Sequence, residues 1–116
     1  MRKINKQLET GKQGLTRQVR DYLKIAQQLY GIFWQRNQQG LGNRKGLPDF
    51  YVFIPIKQLA TLIAIELKTN NRKLTVEQER IKNEIETGNG LYYICHSLED
   101  VDEIFKHFGY DRVEIQ

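Results

Sequence analysis

The sequence predicts a single α/β domain whose elements run in the order α-β-β-β-α-β-α. Apolar residues recur at steps of three and four in three stretches, which marks amphipathic helices. Between them lie short runs rich in β-branched and aromatic residues, which mark strands. At 116 residues the chain is long enough for one core and too short for two.

The first 14 residues are polar and show no periodicity, so a basic arm is expected over residues 1–14 and the folded domain over 15–116. From Leu15, the residues Val19, Tyr22, Leu23, Ala26, Leu29 and Tyr30 share one helical face, and Gly31 supplies the stop. Ile32 to Arg36 reads as a strand. The loop from Asn37 to Gly46 holds Gly40, Gly42 and Gly46. It can approach a phosphate closely but lacks the Gly-Lys-Ser/Thr ending of a nucleotide-binding loop, so no nucleotide cofactor is expected. Phe50 to Ile54 reads as a buried strand broken by Pro55, and Thr61 to Leu67 as the next strand. Thr75 and Gln78 form a capping box that opens a helix through Ile81 and Ile85 to Gly88. Leu91 to Cys95 reads as a short buried strand. Ser97 then caps a last helix, with Leu98, Val101, Ile104, Phe105 and Phe108 on its apolar face and Gly109 at its end. Tyr110 to Gln116 is expected to add a marginal edge strand.

Composition excludes several classes. Hydrophobic residues make up 40% and charged residues 28%, and no apolar run reaches the length that a membrane helix needs. The N-terminal MRKINKQLETGKQG has positive charge but no apolar stretch behind it, so secretion is not expected and a cytoplasmic location is. Cys95 is the only cysteine, which rules out an internal disulfide and a multi-cysteine zinc site. A formal charge of +4 and a pI near 9.2 favour polyanionic partners. Lys3, Lys6, Lys12, Arg17 and Arg20 crowd the N-terminal region, and Arg36, Arg44 and Lys45 flank the glycine loop. Arg17, Arg36, Arg44 and Lys45 are the candidate phosphate contacts.

The second and third strands carry the chemistry. A hairpin centred between Lys57 and Gln58 places Asp49 directly opposite Glu66, where the two carboxylates point to the same side. Strand alternation puts Lys68 on that side as well. Opposed carboxylates destabilise a sheet unless a cation compensates, and Mg²⁺ suits one or two carboxylates plus waters, phosphate oxygens and the main-chain carbonyl of Leu67. Lys68 would orient the attacking water, stabilise charge on the phosphoryl oxygens, or take a proton. Alone, Pro-Asp is a common turn dipeptide and Glu-x-Lys a common solvated strand edge. The shared register and the basic loop ahead of Asp49 favour the functional reading of the two together. His96 and His107 have no paired ligand spacing and are expected to be structural. Trp34, Tyr51 and Phe53 are expected in the core.

At Gly46-Leu47-Pro48-Asp49, Ile65-Glu66-Leu67-Lys68, Leu74-Thr75-x-x-Gln78, Tyr92-Tyr93-Ile94 and Ser97-Leu98-Glu99-Asp100 the sequence resembles the PD-(D/E)XK nucleases, and more narrowly their VRR-NUC group. The resemblance implies a restriction-endonuclease-like core with a mixed sheet flanked by helices. It also implies DNA hydrolysis with Mg²⁺ or Mn²⁺, a preference for branched DNA such as four-way (Holliday) junctions, a homodimer, and a bacterial or phage-infected host cell. Asp49 and Glu66 would hold the metal, Lys68 would serve water and phosphate, and Gln78 matches a glutamine near the active site, although the capping box uses the same side chain. Many relatives carry a glutamate early in the first helix. That position falls at or near Thr16 here, with Gln18, Asp21 or Glu9 as replacements. A binding module that does not cleave, or a restriction-type nuclease, are the alternative readings.

Overall fold

The computed structural model describes residues 11–38, 40 and 42–115. The element order is the one the patterning predicts: α1 (Gly11–Tyr30), β1 (Phe33–Arg36), β2 (Phe50–Ile56), β3 (Leu59–Leu67), α2 (Val76–Thr87), β4 (Leu91–Cys95) and α3 (Leu98–His107). The strands form one sheet in the order β1-β2-β3-β4, in which β1, β2 and β3 pair antiparallel and β4 joins β3 in parallel. It is therefore a mixed sheet, with the crossover from β3 to β4 made by α2.

Interior position explains the composition of β3, which is buried at every residue from Ile63 to Leu67. One face of the sheet presents Phe50, Val52, Ile54, Ile63, Ile65 and Leu67 to α1 and α3. Tyr22 and Phe105 meet edge to face there with centroids 5.3 Å apart. The Tyr22 hydroxyl donates to Asp102 Oδ1 at 2.7 Å, which satisfies two polar groups at the edge of this core. Cys95 lies in the same core, where burial pushes its thiol up to about 12. The opposite face is covered only in part, by α2, which packs on β4. No helix among the described residues is long and apolar enough to cross a membrane.

The β2–β3 hairpin has the expected register, from Ile56 opposite Leu59 to Phe50 opposite Ile65. Its two-residue turn places both Lys57 (φ 51°) and Gln58 (φ 71°) in the left-handed region, although neither is glycine or asparagine.

Five features depart from expectation. Helix α1 already runs at Gly11 rather than starting at Leu15, because its first turn is solvated and carries no apolar stripe to read. Pro55 does not end β2, which continues to Ile56. Pairing with β1 stops at Phe53, and Pro55 opposite Ala60 is a ladder position whose missing N–H would have pointed away from β3, so no bond is lost. Its carbonyl, on that open side, accepts from the Tyr110 hydroxyl at 2.7 Å. Phe53 is not in the core: it lies on the uncovered part of the second face, beside exposed Phe33 with centroids 5.8 Å apart. Trp34 and Tyr51 are half-buried, and Trp34 packs against Phe50. The segment after α3 forms no strand among the described residues beyond a single bridge at Ile115, while Val113 plugs the core.

Candidate active site

Asp49 immediately precedes β2 and Glu66 lies near the end of β3, one step beyond the Phe50–Ile65 pair. In this ladder their position is the closely spaced, non-hydrogen-bonded kind, where side chains approach most. Asn37 fixes the segment from the β1 side. Its N–H donates to the Asp49 carbonyl at 2.9 Å, and its side-chain amide donates to the Pro48 carbonyl at 3.0 Å. Asp49 Oδ2 in turn accepts from the Leu67 N–H at 2.7 Å. The Lys68 N–H donates to the Cys95 carbonyl at 3.0 Å on β4, so the trans peptide between Leu67 and Lys68 turns the Leu67 carbonyl the other way, toward Asp49.

Glu66 is 1% exposed. Burial and the neighbouring Asp49 carboxylate, with which it shares a hydrogen bond, push its carboxyl up to about 7 against the pull of Lys12 and Lys68. Around it, Gln78 Nε2 donates to Glu66 Oε2 at 3.3 Å, and Lys68 Nζ stands 3.8 Å from the same oxygen and donates to Gln78 Oε1 at 3.0 Å. Gln78 Oε1 also accepts from the Thr75 N–H at 2.9 Å, and the Thr75 hydroxyl accepts from the Gln78 N–H at 3.1 Å. The capping box and the active-site contact are thus made by one side chain at once. The cap that starts α2 holds the amide that orders Lys68 and Glu66.

Gly46 is required by this arrangement. At φ +86°, a Cβ there would lie 2.5 Å from the Glu77 carbonyl carbon and 2.7 Å from the Gln78 nitrogen. Gly46→Ala is expected to cost roughly 1–3 kcal/mol, as overpacking does, and to displace the first turn of α2. Thermal melts and the backbone amide shifts of Gln78 check this; a change in melting without a change at Gln78 would refute the coupling.

Two clefts meet at Asp49 and Lys12. One, of about 600 Å³, is lined by Lys12, Thr16, Arg17, Arg20, Arg36 and Asp49 among others. The other, of about 260 Å³, is lined by Lys12, Lys45, Gly46, Asp49, Glu66 and Gln78 among others. Arg17, Arg36 and Lys45 therefore stand on the walls leading to Asp49. Arg44 is engaged elsewhere, in a two-pronged contact with Glu84 of α2 at 3.0 and 2.6 Å that ties the glycine loop to the helix. Lys12 Nζ reaches Asp49 at 3.4 Å and Glu66 at 3.7 Å.

The first-helix glutamate has no counterpart among the described residues. Thr16 lines the first cleft with its hydroxyl donating to the Lys12 carbonyl at 2.8 Å, and no group of three His, Cys, Asp or Glu gathers there. Gln18 is buried, Asp21 is half-buried and neither lines the two clefts; Glu9 lies outside the described residues. His96 supports the strand end, its Nδ1–H donating to the Lys68 carbonyl at 2.8 Å, and His107 packs on Phe108.

The VRR-NUC domain family model matches residues 7–99, which is most of the chain. The chain belongs to the VRR-NUC family. This makes it a nuclease of the PD-(D/E)XK type, a class that generally uses divalent metals. A solved structure described as a VRR_NUC domain superposes with a TM-score of 0.61 at 21% identity, over 80% of this chain and 96% of that one, which shows the shared fold. Comparison with curated proteins finds no match.

Lys12 and Asn37 were absent from the sequence candidates. Asn37 carried a signal only as a polar residue at a strand end. Lys12 stands only among the basic residues that crowd the N-terminal region, with nothing local to set it apart from them.

Proposed function

We propose that this VRR-NUC domain is a structure-selective DNA endonuclease that hydrolyses phosphodiester bonds with Mg²⁺ or Mn²⁺ and acts on four-way junctions or other branched DNA. The observation that carries the reading is the convergence of Asp49, buried Glu66, Lys68 and Gln78 at one end of the hairpin, at the meeting point of two clefts with basic walls.

The donor set fits a hard divalent cation. Two carboxylates within hydrogen-bond reach, one of them held partly protonated by burial, need a positive partner to ionise together, and the Leu67 carbonyl is turned toward them. Asp49, Glu66 and the Leu67 carbonyl would hold the ion, which supplies Lewis-acid activation of water and charge neutralisation when bound. The protein's own groups do the rest. Lys68, only 12% exposed and anchored by Gln78, presents a fixed ammonium to the phosphoryl oxygens. Gln78 keeps Glu66 oriented. Arg17, Arg36 and Lys45 grip neighbouring phosphates without reading bases. The water oxygen forms the new bond to phosphorus as the bridging oxygen departs and takes up a proton. A four-way junction has two-fold symmetry and needs two cuts, so a chain with one such site would work as a homodimer.

The test is cleavage of duplex, flap, fork and four-way junction DNA with Mg²⁺, Mn²⁺ or EDTA. The expected result is metal-dependent cutting with symmetric nicks on the junction. Equal cutting of all substrates would remove the branch preference, and metal-independent binding without cutting would make the chain a binding module.

A further inference from the structure

Lys12 and Lys68 both face the carboxylate pair but are held very differently. Lys68 is nearly buried, directly follows the strand that bears Glu66, and is locked to Gln78. Lys12 comes from the first turn of α1, is 45% exposed, and spans Asp49 at 3.4 Å and Glu66 at 3.7 Å. Among the described residues it is also the one lysine on the walls of both clefts. Its partners are buried or nearly so, but Lys12 itself is a long flexible side chain standing half in water, which leaves it freer to exchange than Lys68.

We propose that Lys12 is an exchangeable cation of the active site: it neutralises the carboxylate pair in the metal-free protein, gives way when a divalent ion binds, and then contacts the DNA phosphate entering the larger cleft. The proposal rests on the nuclease reading of Asp49 and Glu66. Its ammonium lies against the oxygens that a metal must take, so in the free protein it competes with the ion by occupancy and by repulsion. Once displaced, it shares the lining of the larger cleft with Arg17, Arg20 and Arg36, a basic wall that suits a phosphate. The two roles pull in opposite directions when the charge is removed, which separates them from a simple structural role.

The experiment compares wild type, Lys12→Met, Lys12→Arg and Asp49→Asn. Mn²⁺ binding to the DNA-free proteins is measured by calorimetry, and junction binding in Ca²⁺ is followed as a function of salt. Lys12→Met is expected to bind Mn²⁺ roughly tenfold more tightly than wild type. It should bind DNA several-fold more weakly, with a salt slope smaller by about one. Lys12→Arg should restore the DNA affinity and the slope. Unchanged or weaker Mn²⁺ binding by Lys12→Met would overturn the competition, and an unchanged salt slope would overturn the phosphate contact. Asp49→Asn should lose Mn²⁺ binding; if it binds like wild type, the metal-site reading fails independently of Lys12. Melting curves confirm that each variant is folded.

Discussion

Asp49→Asn and Lys68→Met are each expected to lower the single-turnover rate of DNA cleavage by at least about 10²-fold, the usual loss when one group that stabilises a transition state is removed. The choice of substituents follows from the contacts. Asp49 Oδ2 accepts the Leu67 N–H, so alanine would strand a buried donor at a cost of about 1–3 kcal/mol and confuse catalysis with folding. An asparagine oxygen keeps that bond while removing the charge. Methionine at position 68 keeps the packed stem and deletes the ammonium that Gln78 holds at 3.0 Å. The two variants should fail differently. Asp49→Asn loses divalent-ion binding and with it turnover, whereas Lys68→Met retains the ion and loses rate. Cleavage that persists in both would refute the site assignment, whatever the fold.

The parts of this site that were legible in the sequence are those fixed by local rules. The hairpin register followed from its centre, and because side chains alternate with period two, the register set the facing of Asp49, Glu66 and Lys68. Thr75 and Gln78 were readable as a cap because the spacing is short-range chemistry. What lay beyond reach depended on distance in sequence. Nothing local indicates that Gln78 can cap α2 and also touch Glu66, since that contact needs the β3–α2 connection folded back over the sheet. Lys12 is separated from Asp49 by two elements and a loop, and only the packing of α1 across the sheet brings them together. Arg44 shows the reverse case. Its place beside a glycine loop marks it as a candidate phosphate contact, but no local pattern reveals its pairing with Glu84, four positions before the C-terminal cap Gly88 of α2. Pro55 and Phe53 were misplaced for a third reason: whether a strand position is open or covered depends on how far its neighbours extend, which no pattern within the strand records.

In the metal-free protein at pH 8, Glu66→Gln is expected to be more stable than wild type by up to about 3 kcal/mol, a rise in melting temperature on the order of 10 °C. Burial and Asp49 raise the Glu66 carboxyl from 4.5 to about 7 in the folded chain. Between those two values the folded state binds more protons than the unfolded state, so wild-type stability rises as pH falls through that window and is lowest above it. A neutral glutamine fits the same space without that penalty. The gap between the proteins should therefore be widest above pH 7 and close as the pH falls below 4.5, where the wild-type carboxyl becomes neutral in both states. Divalent cation should act the other way. At a hundred times its dissociation constant it stabilises the wild type by about 2.7 kcal/mol, and Glu66→Gln should gain much less. Melting curves across pH with and without Mg²⁺ measure both effects. A variant less stable than wild type at pH 8, or a gap that does not change with pH, would show that Glu66 is held charged in the fold by Lys12 and Lys68. A widening gap would instead place the carboxylate pair where active sites are expected to be, at a position kept for chemistry at the expense of stability.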